Sequence, residues 1–516
     1  MTPEEWIAHD PDPDDAAELS ACAADELAAR FGGSLTFGTA GLRGPMRAGP
    51  TGMNLAVVLR ATWALARVLK RRSSVYVGYD ARHRSREFAL AAAGVLAAEG
   101  FSVTLFPEPL PTPILAFAVR HSGAAAGVQI TASHNPASDN GYKVYLDGGM
   151  QIVPPTDREV QAALAQAPYA DEIPRLAVTP DGSEILEHYL RRVAGLRRGS
   201  GTVRVALTPL HGVGGAIAVE ALRRAGFTDV YTVASQFAPD PDFPTVAFPN
   251  PEEPGAVDAL LELAARVDAD IAIALDPDAD RCAVAIPTAN GWRMLSGDET
   301  GWLLGDYILQ HTELPATVAS TVVSSRMLAS IAAGYGARHV ETLTGFKWLA
   351  RAAGDDLVYA YEEAIGHCVD PQAVRDKDGI SAAVLCCDLA ATLKTGGRSV
   401  SGALDDLAGR HGVHRTASIT VRTGDAAAVV ARLREDPPTT LAGVTVTATS
   451  VDDVLIFAGD GVRLAVRSSG TEPKVKGYVE IRMPAGGDLQ AARRRADDRC
   501  AKARHDVVAL LQRGPN

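Results

Sequence analysis

Ala125-Ala126-Gly127-Val128-Gln129-Ile130 runs directly into Thr131-Ala132-Ser133-His134-Asn135-Pro136. The first six residues read as an apolar strand and the next six as a polar turn. Parallel α/β sheets gather their ligands at the carboxyl ends of strands, so this loop lies where a site belongs. The surrounding chain supplies such a sheet. Upstream, a helical pattern at 55–69 precedes a strand at 75–79, a helix at 86–98 and a strand at 102–106. The alternation returns as strand, helix and strand at 203–208, 215–225 and 230–233, then as helix and strand at 257–267 and 271–275. A third round covers 299–309, 317–323 and 327–333. Such alternation reads as mostly parallel sheets covered by helices.

The last hundred residues differ. Strand patterns at 417–421, 444–449, 454–457, 462–466 and 475–482 lie close together, flanked by helical patterns at 426–434 and 489–511. This predicts an α+β domain with an antiparallel sheet. Polar or Pro/Gly-rich breaks near 197–201, 291–297 and 409–412 divide the chain at 1–197, 198–294, 295–411 and 412–516. The expected fold class is therefore α/β: three α/β domains with mixed, mostly parallel sheets, then a smaller C-terminal α+β domain.

Composition narrows the function. Of 516 residues, 47% are hydrophobic and 22% charged, which excludes general disorder. Acidic residues outnumber basic ones by 62 to 50, a formal charge of −12 that weighs against nucleic acid as a partner. Six cysteines without a C-x-x-C pair make neither a disulfide framework nor a zinc site, and Cys386 and Cys387 read as small core hydrophobes. No apolar run reaches the roughly 20 residues that span a bilayer, and Met1-Thr2-Pro3-Glu4-Glu5 opens without a basic n-region or an apolar h-region, so secretion is not expected. A cytoplasmic protein without a membrane partner is expected.

Four loops carry the chemistry. Ser133 is a nucleophile candidate, though the G-x-S-x-G elbow is absent and the same residues also make an ordinary Ser/Asn/Pro turn. Asp276-Pro277-Asp278-Ala279-Asp280-Arg281 follows another apolar strand. Three carboxylates at alternate positions can converge on one hard cation, and an all-oxygen set points to Mg²⁺. An EF-hand is excluded, because Arg281 and Pro287 stand where Gly and Glu are required; a solvated acidic turn is the alternative. Arg467-Ser468-Ser469-Gly470-Thr471-Glu472-Pro473-Lys474-Val475-Lys476 combines cations, hydroxyls and a Gly, which suits a phosphate held without being transformed. It also reads as a polar hairpin. Tyr361-Glu362-Glu363-Ala364-Ile365-Gly366 offers carboxylates to sugar hydroxyls, or simply ends a strand. Gly212-Val213-Gly214-Gly215 lacks the third glycine of a dinucleotide loop at the right spacing, so NAD is discounted. An anchor, a cation, an acceptor serine and hydroxyl-reading carboxylates suit phosphoryl transfer on a sugar phosphate, where positioning and charge neutralisation dominate.

These motifs, in this order from Phe37-Gly38-Thr39-Ala40-Gly41-Leu42-Arg43-Gly44 to the 467–476 loop, resemble the α-D-phosphohexomutase superfamily of phosphoglucomutases and phosphomannomutases. The resemblance covers nearly the whole chain, with 1–33 as a helical lead-in, and implies that the four domains surround a central cleft. It implies that Ser133 is phosphorylated, gives its phosphate to the substrate and recovers another from a bound sugar 1,6-bisphosphate, which is both activator and intermediate. By the same resemblance Arg43, Lys143 and Lys377 serve phosphate stabilisation and acid–base work, and His134 supports the nucleophile loop. Ser133 joins Asp276, Asp278 and Asp280 around the cation. Arg281, Thr344, Gly345 and Lys347 fall at substrate-contact positions, Glu362 accepts from sugar hydroxyls, and Arg467, Ser469, Gly470 and Thr471 hold the non-reacting phosphate. The implied activity interconverts hexose 1-phosphate and hexose 6-phosphate, glucose or mannose. Many hexose-specific members carry Ser where Ala364 stands. The sugar loop, Phe37–Gly44 and Lys347-Trp348 are similar to a branch that includes phosphopentomutase and glucose-1,6-bisphosphate synthase, so pentose 1,5-transfer is the alternative. A phosphatase and a non-catalytic sugar-phosphate sensor are remoter ones.

Overall fold

The computed structural model describes residues 1–37, 41–70, 72–468 and 474–512. They form two compact units: 1–294 with 366–392, and 295–365 with 393–516. Four principal sheets lie within a four-domain α/β architecture. The lead-in is helical, with Pro3–Ala8, Pro13–Ala21 and Ala24–Arg30. Thr2 and Asp12 cap the first two through side-chain oxygens, and proline opens each where its missing N–H costs nothing.

In the first unit, the Ser74–Tyr79 strand lies between Ser102–Leu105 and Ala126–Ile130, parallel to both. The Leu55–Val68 and Ser85–Ala98 helices contribute much of the buried core beside this sheet. Sequence patterning finds these elements to within a residue or two, because strands of four to six residues and Ala/Leu-rich helices of 14 differ plainly in length. It does not find Asp139–Leu146, which returns antiparallel to Ala126–Ile130 with Lys143 opposite Gln129 and Tyr142 opposite Ile130. Its Asp-Asn-Gly opening and buried lysine disguise a strand whose central residues, Asn140–Tyr145, are all buried. Gly141 is required there: a Cβ would lie 2.5 Å from the Thr131 carbonyl and 2.8 Å from that of Leu42.

The second sheet repeats the arrangement. Val205–Thr208, Val230–Thr232 and Ile271–Leu275 are parallel, and Cys282–Thr288 turns back antiparallel on Ile271–Leu275 with Cys282 opposite Leu275. Both the serine loop and the aspartate loop therefore bridge antiparallel neighbours, which keeps them short and their ends fixed. Among the described residues, no single helix is long and apolar enough to cross a membrane. Cys386 and Cys387 are buried in the Gly379–Thr395 helix, as small core residues.

In the second unit, Thr317–Thr321 lies between Arg338–Thr342 and Leu357–Glu362, parallel to both. The C-terminal sheet is antiparallel, in the order Val413–Arg422, Lys474–Met483, Val462–Ser468, Val454–Gly459 and Thr447–Val451. Leu489–Gln512 packs its Ala492, Ala496, Ala503, Val507 and Leu511 into that domain's core. A buried polar network joins the two sheets of this unit. The Ser325 hydroxyl donates to Glu480 at 2.6 Å, its N–H donates to Asp298 at 2.8 Å, and Tyr361 donates to the same Asp298 oxygen at 2.9 Å.

Burial pushes the Asp298 carboxyl up to about 7 against the Ser325 N–H, and the nearby charges of Glu363 and Glu480 add to the rise. The folded chain thus holds a proton that an unfolded Asp releases near pH 4, so this group makes folding less favourable as pH rises from about 4 to 7. Glu480 acts in the opposite sense. Burial would raise its pKa, but His414 and Ser325 outweigh it and hold it at about 2, so its contribution is lost only below about pH 4.5. Asp298→Asn should therefore lose less thermal stability than the parent between about pH 5 and pH 8. An identical decline in the two proteins would show that Asp298 does not titrate in that window.

Candidate active site

Ser133 is buried, and its backbone is left-handed, with φ at 55°. Its Oγ donates to Asp276 Oδ2 at 3.0 Å and lies 3.2 Å from His134 Nδ1. Its N–H donates to the Thr131 hydroxyl at 2.9 Å. The pKa of His134 is held well below the ordinary imidazole value by burial first, then by the charges of Arg281 and Arg43. A neutral ring beside Ser133 can share a hydroxyl proton without adding charge.

Asp276, Asp278 and Asp280 are all buried, and one carboxylate oxygen from each lies within 4.8 Å of the others. Cations answer them from two other stretches and from the loop itself. Lys143 Nζ reaches Asp278 Oδ2 at 2.6 Å and Asp280 Oδ2 at 3.0 Å, and Lys377 Nζ lies 3.4 Å from the latter oxygen. The Arg281 guanidinium lies 3.8 Å from Asp280 and 4.0 Å from Asp276, while its N–H donates to Asp276 Oδ1 at 3.0 Å. Burial and two carboxylate neighbours push the Asp276 carboxyl well above its usual range. Burial pushes Asp280 the same way, but Lys143, Lys377 and Arg281 outweigh it and hold that carboxyl low. Arg43, half-buried on the Leu42–Pro45 strand beside Gly141, adds a further charge felt by Asp278 and Asp280.

The donor set fits a hard divalent cation. Asp278 Oδ2 is occupied by Lys143 and by the Thr112 hydroxyl at 2.6 Å, which leaves its other oxygen aimed elsewhere. Asp278 Oδ1 and Asp280 Oδ1 are buried without a hydrogen-bond partner among the described residues. Buried carboxylate oxygens without donors are costly unless a cation or water completes them. Oxygen ligands alone are the chemistry of Mg²⁺.

Glycines make room for this loop. A Cβ on Gly212 would lie 2.3 Å from Pro277 Cα, one on Gly214 would lie 2.6 Å from the Ala279 side chain, and one on Gly379 would lie 2.3 Å from the Arg281 carbonyl. The Gly212–Gly215 run thus packs against the aspartate loop rather than around a dinucleotide. Gly379 lets the 376–378 segment approach closely enough to bring Lys377 to Asp280.

The second unit holds its own group. Thr321 faces Thr342 and Ser320 faces Tyr361 across the parallel strands, so the loops with Ser324, Thr344–Gly345 and Glu362–Ile365 leave one sheet edge. Glu362 is buried at a strand end, and Glu363 accepts from the Thr321 and Ser324 hydroxyls, each at 3.2 Å. Thr344 Oγ1 is buried without a partner among the described residues, Gly345 has a φ of 110°, and Lys347 is buried 5.7 Å from the Trp348 ring centre. Burial works against the charge of Arg467, but Tyr478 and then Glu363 hold it, so its pKa is raised. Arg467 lies opposite Lys476 at the end of the hairpin. Ser469, Gly470 and Thr471 lie outside the described residues.

Sequence reading misses Asp80, Arg82 and Thr112. Asp80-Ala81-Arg82 directly follows the Ser74–Tyr79 strand, the same strand-end position that singled out Ser133, but without a recognisable motif.

Models of the phosphoglucomutase/phosphomannomutase domains match the chain in order: α/β/α domain I over 34–170, domain II over 187–291, domain III over 296–411 and the C-terminal domain over 423–496. The chain belongs to the phosphoglucomutase/phosphomannomutase family. It is a mutase, and its relatives divide by sugar. A Haemophilus influenzae protein named "Probable phosphomannomutase" is 40% identical over 457 residues, covering 84% of this chain and 93% of its own. A Mus musculus phosphopentomutase is 33% identical over 537 residues, covering 90% and 86%. Parafusin, a phosphoglucomutase from Paramecium solved in an open form, shares the fold with a TM-score of 0.73 at 18% identity, over 92% of this chain and 95% of that one.

Two outcomes follow from the aspartate loop. Thr112→Val, which frees Asp278 Oδ2 of one donor, should weaken Mg²⁺ binding by about 10–100-fold in calorimetry without substrate; parental affinity would remove Thr112 from the account. Gly212→Ala should lower both thermal stability and Mg²⁺ affinity, whereas loss of neither would show that the loop yields without cost.

Proposed function

We propose that the chain interconverts hexose 1-phosphate and hexose 6-phosphate, of glucose or mannose, through a phosphoserine at Ser133 and a bound sugar 1,6-bisphosphate. The observation that carries this reading is the placement of Ser133 Oγ 3.0 Å from Asp276, in one buried cluster with Asp278, Asp280 and Lys143. Such a cluster suits a reaction whose barrier lies in bringing charged oxygens together. Asp276, Asp278 and Asp280, with the phosphorylated Ser133, would hold Mg²⁺, which when bound supplies charge neutralisation for the transferring phosphate.

In the forward half-reaction a sugar hydroxyl oxygen forms a bond to the phosphorus as the bond to Ser133 Oγ breaks. The hydroxyl proton passes to a base in the cluster; Lys143, a cation beside Asp278 and Asp280, serves this acid–base work as base only after it has released a proton of its own. After the bisphosphate turns over, Ser133 Oγ attacks the other phosphate and the displaced sugar oxygen takes a proton back. Arg43 and Lys377 stabilise the transferring phosphate, and His134, held neutral, supports the serine loop. Arg281, Thr344, Gly345 and Lys347 contact the substrate. Glu362 reads its hydroxyls, and Arg467, Ser469, Gly470 and Thr471 hold the idle phosphate. The partners are small sugar phosphates, which suits a cytoplasmic location. The proposed domains are 1–197, 198–294, 295–411 and 412–516, each bringing one loop.

A second reading, transfer between the 1- and 5-positions of a pentose, is favoured by Ala364 and by the phosphopentomutase relative. A site without that hydroxyl discriminates less against a sugar lacking its partner. Phosphorus NMR with Mg²⁺, trace glucose 1,6-bisphosphate and separate glucose, mannose and ribose 1-phosphates decides between them. Fast formation of a hexose 6-phosphate is expected, and ribose 5-phosphate alone would reverse the order. Ser133→Ala should abolish turnover while leaving sugar-phosphate binding in calorimetry largely intact. Normal turnover in that variant would end the phosphoserine mechanism.

A further inference from the structure

We propose that Asp80 and Arg82 form a positioning device that fixes the backbone of the serine loop and thereby aims Ser133 Oγ. The reaction it serves rests on the phosphoserine reading above, whereas the positioning rests on hydrogen-bond geometry within the first unit. The Ser74–Tyr79 and Ala126–Ile130 strands are parallel neighbours with Tyr79 opposite Ile130, and the Asp80 N–H donates to the Ile130 carbonyl at 3.0 Å. The two loops therefore leave the sheet side by side.

Arg82 is 4% exposed, and its guanidinium donates to four main-chain carbonyls of one loop: Ser133 at 2.5 Å, Asn135 at 2.6 Å, Pro136 at 2.7 Å and Asp139 at 3.1 Å. Its position is fixed in turn. Asp80 Oδ2 lies 3.4 Å from Arg82 Nε, and the Phe243 ring centre lies 5.0 Å from the guanidinium carbon. Asp80 also accepts from the Thr131 hydroxyl at 2.6 Å, and that hydroxyl accepts the Ser133 N–H. Both main-chain polar groups of Ser133 are thus held, the carbonyl by Arg82 and the N–H by Asp80 through Thr131.

The need for such a hold is local. Ser133 has a φ of 55°, a conformation disfavoured for a residue with a side chain, and relaxing it would swing Oγ away from Asp276. A planar fork with five donors can serve several fixed carbonyls at once, and the compact ammonium of lysine cannot reproduce that pattern. Arg82 makes none of its four guanidinium hydrogen bonds to a metal-site carboxylate, but its charge is felt by Asp278, so a slowed rate counts for the loop only when exchange over 131–139 rises with it.

The test compares the parent with Arg82→Lys and Arg82→Met. The readouts are the single-turnover rate of transfer from labelled glucose 1,6-bisphosphate onto Ser133 per folded molecule, calorimetric affinity for sugar phosphate, and amide hydrogen exchange over 131–139. Arg82→Lys should slow transfer by about 100-fold with sugar-phosphate affinity little changed, and should speed exchange in that loop. A parental rate per folded molecule, or a slowed rate with parental exchange, would overturn the proposal. If the Arg82 variants fail to fold, Thr131→Val should give both changes and Thr131→Ser should restore both; parental behaviour of Thr131→Val would overturn it. If the parent takes no label at Ser133, the phosphoserine reading fails by itself. The loop-fixing claim then stands or falls on whether exchange over 131–139 rises.

Discussion

Three carboxylates buried together repel one another, and Asp276, Asp278 and Asp280 are tolerated only because charge and donors converge on them. Lys143 comes from the antiparallel return strand, Lys377 from the 366–392 segment that folds into the first unit, and Arg281 from the loop itself. Thr112 adds a hydroxyl from the start of a helix. Each donor fixes its own stretch of backbone. The tight approaches that demand Gly141, Gly212, Gly214 and Gly379 are consequences of that convergence.

A second constraint recurs in the three described functional loops. Ser133, Ala279 and Ile365 all have left-handed backbones, with φ of 55°, 53° and 53°. Side-chain-bearing residues adopt this conformation when the surroundings over-determine it, and a β-branched isoleucine there is a clear outlier. In each loop the reversal lies beside the residues of interest. It places Ser133 over Asp276, turns Asp278 and Asp280 back toward Asp276, and follows Glu362 and Glu363. The hydrogen bonds around these residues hold conformations that the chain would not choose in isolation.

Much of this is legible in the sequence. The short buried strands and long Ala/Leu helices give the α/β alternation, and the three loops stand out because polar, chemically able residues directly follow apolar strands. The Asp139–Leu146 strand is not legible, since its polar opening and its buried Lys143 contradict strand patterning. The lysine belongs there only because the aspartates wait opposite, and that partnership lies 135 residues away in the chain. Arg82 escapes for a related reason: its partners are main-chain carbonyls, which leave no trace in residue types. The Gly212–Gly215 run shows the converse, where a glycine pattern suggestive of a ligand serves close packing between two loops.

The central claim is that Ser133, set against this carboxylate cluster, carries phosphate between sugar molecules. Peptide mapping by mass spectrometry tests it directly, on the full chain incubated with Mg²⁺ and glucose 1,6-bisphosphate and then mixed with excess sugar monophosphate. With isotopically labelled bisphosphate, the account predicts one labelled phosphate on the peptide containing Ser133, with the label passing to the sugar and unlabelled phosphate replacing it when the excess monophosphate is added. Phosphate on another residue, or turnover by a protein that never carries phosphate at Ser133, would contradict it.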